Sequence, residues 1–141
     1  ALLMLLAFAI GDACKELETG IYVANATKDW LSPELLPAVV FLISSFIAFS
    51  TGTSWGTFAI MLAISVPMSN IHGADLTIVV AATLGGGIFG DHCSPISDTS
   101  IISSMASASD HIDHVKTQLP YALIGGMVTT LLYVVIGFFG N

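Results

Sequence analysis

The run Gly90-Asp91-His92-Cys93-Ser94-Pro95-Ile96-Ser97-Asp98-Thr99-Ser100 places two carboxylates, an imidazole and several hydroxyls between apolar flanks. Oxygen groups of this kind suit a hard cation such as sodium, and Asp91, Ser94, Asp98, Thr99 and the Asp91 carbonyl could supply them. Pro95 has no N–H to offer that carbonyl, so the sequence predicts a free oxygen there. Ser94-Pro95 reads as the N-cap and first residue of a new helix. A helix broken at this point would set a C-terminal end, partly negative, against an N-terminal end, partly positive. On an intact helix Asp91 and Asp98 would lie about 10 Å apart, too far to share one ion, and the break changes that separation. His92 is a candidate proton relay, with a plain hydrogen-bonding role as the alternative. The bland reading of the whole run is a surface loop between two helices.

A second polar run, Ser50-Thr51-Gly52-Thr53-Ser54-Trp55-Gly56-Thr57, has hydroxyls and glycines but no charge. Glycine permits unwinding, and Thr51, Thr53 and Ser54 are candidate ligand oxygens. We expect this run to pack against the first, with one of those oxygens facing Asp91 or Asp98. Its alternative is a kink whose hydroxyls bond their own backbone. Gly11-Asp12-Ala13-Cys14 repeats the G-D-x-C pattern of Gly90-Asp91-His92-Cys93, and both tetrads are expected at a helix end. Asp12 stands between ion ligand, proton-coupling group and simple helix-end charge. His111 and His114, flanked by Asp110 and Asp113, have zinc-ligand types, but a solvated face at an aqueous boundary is the preferred reading. Cys14 and Cys93 are isolated and expected to be reduced. No phosphate-binding glycine loop and no nucleophile–base arrangement stands out, which argues against an enzyme.

The elements that must position these groups are apolar. Hydrophobic residues make up 55% of the chain, charged residues 9%, and the mean hydropathy is +0.88. A soluble domain carries about 25% charged residues. Each aspartate at the bilayer centre opposes insertion by roughly 3 kcal/mol, so polar groups held there mark an ion or substrate path. Lys15, Lys28 and Lys116 are the basic residues, too few for a nucleic-acid surface. The expected fold is all-α: a polytopic membrane helical bundle with a re-entrant helical hairpin and a broken transmembrane helix. Ala1 to Ile10 reads as the end of a helix already under way. Trp30 is placed like an interfacial anchor. Ser32-Pro33-Glu34 reads as a helix start. Leu35 to Met68 as one helix would be roughly 51 Å long, far beyond the bilayer, so a break in the Ser50–Thr57 run is predicted, preferably a re-entrant hairpin with its tip at Thr51–Ser54, with a bent continuous span as the alternative. Ser69 to Ala74 reads as a turn and Leu76 to Phe89 as a half-length helix. Ile101 to Ser109 is rich in small residues suited to tight packing. Leu119 to Phe139 is a full span of roughly 31 Å, with Gly125 and Gly126 expected to face neighbouring helices.

Three stretches together resemble the NhaC-type sodium/proton antiporter family over nearly the whole chain. They are Thr51-Gly52-Thr53-Ser54-Trp55-Gly56-Thr57-Phe58, then Gly90-Asp91-His92-Cys93-Ser94-Pro95-Ile96-Ser97-Asp98-Thr99, and Asp110-His111-Ile112-Asp113-His114-Val115-Lys116-Thr117-Gln118-Leu119-Pro120-Tyr121. The resemblance implies a multi-pass protein of a prokaryotic cell membrane, built from two inverted repeats. Residues 1–141 would then be the C-terminal repeat, with an N-terminal repeat missing. The start at Ala1, without Met or a basic region before the apolar run, likewise predicts a fragment. The implied activity is secondary active transport in which sodium and protons compete for Asp91 and Asp98, with no cofactor beyond the transported ions. The implied partners are the lipid bilayer, Na+ and H+, with a homodimer admitted. Sodium- or proton-coupled exchange of organic acids such as malate or lactate is the alternative, and a non-transporting membrane fragment is the third.

Overall fold

The computed structural model describes residues 2–139; Ala1, where the sequence predicts a helix already under way, lies outside them. The described residues form helices and no strand: α1 Leu2–Glu16, α2 Thr19–Thr27, α3 Leu36–Thr51, α4 Ser54–His72, α5 Leu76–Cys93, α6 Asp98–Ala106 and α7 His111–Phe139. By length and composition α4, α5 and α7 can each cross a membrane, whereas α3 is apolar but shorter. α7 in particular turns Leu131, Leu132, Val135 and Phe138 outward, and only Gly126 and Gly137 along it are buried. Such a face suits lipid rather than water.

The centre of the bundle is a seam between α3 and α5. The backbone of α5 lies so close to α3 that a Cβ on Gly86 would strike the Phe41 carbonyl, and one on Gly90 the Ser45 carbonyl. Residue numbers rise together along the seam, so the two helices run parallel. α4 runs the other way: Phe58 lies beside Gly87, and seven residues on, Ser65 Oγ accepts a 2.9 Å bond from Thr83 Oγ1. α7 is also antiparallel to α5, with Gly126 against the Phe89 ring and Tyr133 beside Gly85. Phe41 joins the three helices, its ring centroid 5.7 Å from that of Phe89 and 5.5 Å from that of Tyr133. On the far side of α4, α1 and α2 pack through Gly11 on Ala59 and Gly20 on Ala63. Leu36, Val40, Met61, Met68 and Val79 form the apolar core between these layers.

Several boundaries differ from the sequence reading, each for a local reason. Residues 35–68 are two helices, as the length argument requires. Gly52, at φ 66, ends α3 in a conformation that glycine adopts freely. Ser32-Pro33-Glu34 does not open that helix; the Leu35 N–H turns back onto the Ser32 carbonyl, and Pro37 takes the first-turn position instead. Residues 69–72, read from the sequence as part of a turn, belong to α4, whose end is set by Gly73 at φ 75. The second G-D-x-C tetrad closes its helix at Cys93 as expected, whereas the first lies inside α1. α1 runs through Gly11-Asp12 to Glu16, with the kink at Glu18 in a left-handed conformation, and α5 continues through Gly90-Asp91 to Cys93. Gly126 faces Phe89, but Gly125 faces open space, because neighbours on a helix point about 100° apart.

Candidate functional site

Between α5 and α6 the helix is interrupted over residues 94–97. Ser94 caps α5 by giving its N–H to the Asp91 carbonyl at 3.1 Å, and Ser97 gives its own N–H to the Ser94 carbonyl at 3.3 Å. The Asp91 carbonyl is therefore bonded, not free as the loss of the Pro95 N–H suggested. α6 begins three residues later than expected. Its N-cap is Ser97, whose hydroxyl accepts the Ser100 N–H at 3.3 Å. Ser94 instead spends its hydroxyl on the Ile96 N–H at 3.3 Å inside the turn.

The Asp91 side chain is 2% exposed and points into this interruption. Ser97 Oγ donates to Asp91 Oδ1 at 2.7 Å, and Thr99 Oγ1 donates to Asp91 Oδ2 at 3.2 Å. The two hydroxyls also lie 2.7 Å from each other. A buried carboxylate needs such donors, since an unpaired one is very costly. Ser97 was not among the candidates read from the sequence. Its signal was the Ser97-Asp98-Thr99-Ser100 pattern, a good N-cap followed by an acid in the first turn, masked by the rival start at Ser94-Pro95.

The other candidates divide. Asp98 opens α6 but is exposed, and no hydrogen bond joins it to Asp91 among the described residues. The α3–α4 turn does pack on the interruption: a Cβ on Gly52 would lie 2.8 Å from the Ile96 carbonyl. That contact is backbone to backbone. Thr51 Oγ1 bonds the Ile47 carbonyl at 2.9 Å and Thr57 Oγ1 the Thr53 carbonyl at 2.9 Å, so these hydroxyls serve their own helices. Thr53 and Ser54 are half-buried. No tip hydroxyl bonds Asp91 or Asp98 among the described residues. His92 is exposed and directs Nδ1 to the Ile88 carbonyl at 3.0 Å, the hydrogen-bonding role rather than a relay geometry. Asp12 is exposed on α1, 3.6 Å from Lys15.

His111 departs from the solvated face expected of it. Nε2 lies 2.7 Å from the Pro95 carbonyl and Nδ1 3.2 Å from Ser104 Oγ. A carbonyl only accepts, so Nε2 carries the proton. His111 thus ties the start of α7 to the interruption and to α6. Asp110 beside it caps α7, accepting from Ile112 N at 2.9 Å and Asp113 N at 3.1 Å. No group of three or more His, Cys, Asp or Glu side chains that could hold a metal occurs among the described residues, which leaves no zinc-type set at His111 and His114.

What the site offers is one enclosed carboxylate and two hydroxyls, all oxygen, with no basic side chain bonded to them among the described residues. A hydroxyl that donates to a carboxylate still has lone pairs for a cation, and hard monovalent or divalent cations prefer such oxygens.

Known proteins are similar to this chain in sequence. An uncharacterized protein of Haemophilus influenzae is 40% identical over 137 residues, 96% of this chain and 26% of that protein. The malate-2H(+)/Na(+)-lactate antiporter of Bacillus subtilis is 31% identical over 110 residues, 78% of this chain and 24% of that protein. The Na(+)/H(+) antiporter NhaC of Alkalihalophilus pseudofirmus is 28% identical over 107 residues, 76% of this chain and 23% of that protein. The chain thus spans about a quarter of the length of the relatives it matches. No solved structure matches it. The sequence model of one transporter family covers residues 1–138, through both interrupted regions and the last helix. The chain belongs to the Na+/H+ antiporter family.

Proposed function

We propose that this chain is the C-terminal repeat of a secondary antiporter that exchanges Na+ for H+ across a prokaryotic cell membrane, with Asp91 as the carboxylate both ions use. The observation that carries the reading is the burial of Asp91 near the end of a membrane-length helix, beside the interruption that follows it, held by hydroxyls. A carboxylate in such a place is costly unless it is used, and proton and cation are the two species that neutralise it. In this reading α3 and α4 form a re-entrant hairpin. α3, at about 24 Å, falls short of the roughly 30 Å hydrocarbon layer, and its turn sits against residues 94–97. The remaining passes, including the inverted N-terminal repeat, belong to a longer protein, whose subunits could pair as a homodimer. No cofactor is needed, because binding and release of ions make and break no covalent bond.

Exchange follows by alternation. With the cation gone, a proton neutralises Asp91; an arriving Na+ displaces it, so one carboxylate cannot hold both. With Na+ added to the medium, proteoliposomes holding the full-length protein should export protons from the lumen into that medium. Absence of any Na+-coupled pH change would overturn the reading.

Organic-acid exchange is the second reading, favoured by the likeness to a relative named for malate and lactate. Against it, the chain's basic residues are three lysines, so no arginine is present to clamp a carboxylate. Uptake of labelled malate by the same vesicles separates the two.

A further inference from the structure

We infer that the charged kink between α1 and α2, with the groove beside it on α4, is where the rest of the same polypeptide packs. Its occupant is a helix with an apolar ridge and a basic side chain. The assignment rests on the reading above of residues 1–141 as one part of a longer membrane protein.

The depth of the kink is fixed by backbone contacts. α1 and α2 follow α4 in step: Gly11 lies against the Ala59 carbonyl and Gly20 against Ala63 and Pro67. At the end of α4, His72 Nε2 is 3.2 Å from the Ala24 carbonyl of α2. Ala59 and Pro67 are each five residues, about 7.5 Å, from an end of α4. The kink at residues 16–18 falls between these contacts. It is therefore level with the middle of a helix long and apolar enough to cross a membrane. Asp12, Lys15, Glu16 and Glu18 gather at this level, and all four are exposed. Asp12 and Lys15 sit 3.6 Å apart, whereas neither Glu16 nor Glu18 has a basic partner among the described residues.

Lipid tails do not suit such a face. A charge in hydrocarbon is costly, and lysine is the one side chain of the four that snorkels to water. The surface next to the charges is shaped for protein. A groove of about 640 Å³ runs along α4 between α1 and α5, lined by Phe8, Phe58, Leu62, Val66 and Leu84, with Lys15 beside them. Lys15 thus joins groove and kink into one surface. The apolar ridge of a further helix fills such a groove, and a basic side chain on it would meet Glu16 or Glu18. A second copy of this face fits poorly, since a two-fold axis would set the same carboxylates against each other. The rest of the polypeptide is ample: this chain spans 23–26% of its relatives' length.

The test uses full-length protein in its membrane, with photoreactive benzoylphenylalanine placed at Leu62 in the groove, at Leu17 in the kink, or at Leu131 on the outward face of α7. After irradiation and proteolysis, mass spectrometry should join Leu62 and Leu17 to peptides of the same polypeptide from outside residues 1–141, and Leu131 to lipid. Lipid adducts at Leu62 and Leu17, a band at twice the monomer mass, or no adduct at either position would overturn the docking face. The charge is tested separately. Glu16→Lys should lower the thermal midpoint in detergent by several degrees below that of Glu16→Gln, and Glu18→Lys should do the same relative to Glu18→Gln. Equal midpoints in both pairs would overturn the basic partner. Crosslinking needs no transport, so its failure leaves Na+/H+ exchange standing, and vesicles without Na+-coupled proton release leave the docking face standing.

Discussion

The tetrads Gly11-Asp12-Ala13-Cys14 and Gly90-Asp91-His92-Cys93 share a pattern and half of a role. In both, glycine lets one helix backbone touch another: Gly11 meets the Ala59 carbonyl of α4, and Gly90 the Ser45 carbonyl of α3. The aspartates then part company. Asp12 points outward to Lys15, while Asp91 is sealed in and bonded by Ser97 and Thr99. The difference lies downstream of each cysteine. Lys15-Glu16 lets α1 run on to a kink at Glu18, whereas Ser94-Pro95 stops α5 and folds the next hydroxyls back over the carboxylate. A motif places a backbone; the residues after it decide whether its charge is enclosed or left in the open.

The sharpest way to break this contrast is to neutralise each aspartate in turn. Asp91→Asn keeps the shape of the side chain, accepts from Ser97 as before, and cannot exchange a proton for Na+. Na+-driven proton release by the full-length protein is expected to fall at least about a hundredfold, the scale on which removing a group essential to each turnover is felt. Retained exchange would place the shared carboxylate elsewhere.

A smaller effect tests the shared half of the motif. Gly90→Ala drives a methyl group into the Ser45 carbonyl within the α3–α5 seam, and overpacking of this kind costs about 1–3 kcal/mol. Gly11→Ala meets the Ala59 carbonyl, but α1 has an outward face free to give way, so its cost should be the lesser. Thermal midpoints of the two variants in detergent should fall in that order. Equal midpoints would mean the seam is softer than its geometry implies.

Smallest of all should be Asp12→Asn. An exposed ion pair contributes about 0–1 kcal/mol, and both exchange rate and thermal midpoint should stay near wild type. A large loss of exchange in this variant would make the two tetrads functional equals and dissolve the contrast.

The sequence disclosed the fold through hydrophobic length. Residues 35–68 were too long for one pass, and Gly52 marks the turn that resolves it. Asp91 was legible because a carboxylate in a long apolar run has few uses. What the sequence hid was partnership. Whether Asp91 would pair with Asp98, with the tip hydroxyls or with Ser97 depends on where the chain restarts after Pro95. Two serines three residues apart were both good N-caps. His111 was hidden for the same reason: its partners, Pro95 and Ser104, come from a turn and a helix whose relative placement only the folded chain defines.

The α3–α5 seam has a mechanical consequence. With Gly86 and Gly90 lying directly on carbonyls of α3, there is no layer of side chains for one helix to slide across. A slip of one turn would bring the methyl group of Ala82 to the place Gly86 occupies, against the Phe41 carbonyl. Sterically, the two helices have one register and behave as a single stiff lever. Any rearrangement that leaves the helices intact must bend at the turns that join them to their neighbours, residues 52–53, 73–75 and 94–97 among them. The first and last of these meet where Gly52 touches Ile96, so a bend at either turn is felt at the segment that covers the buried carboxylate.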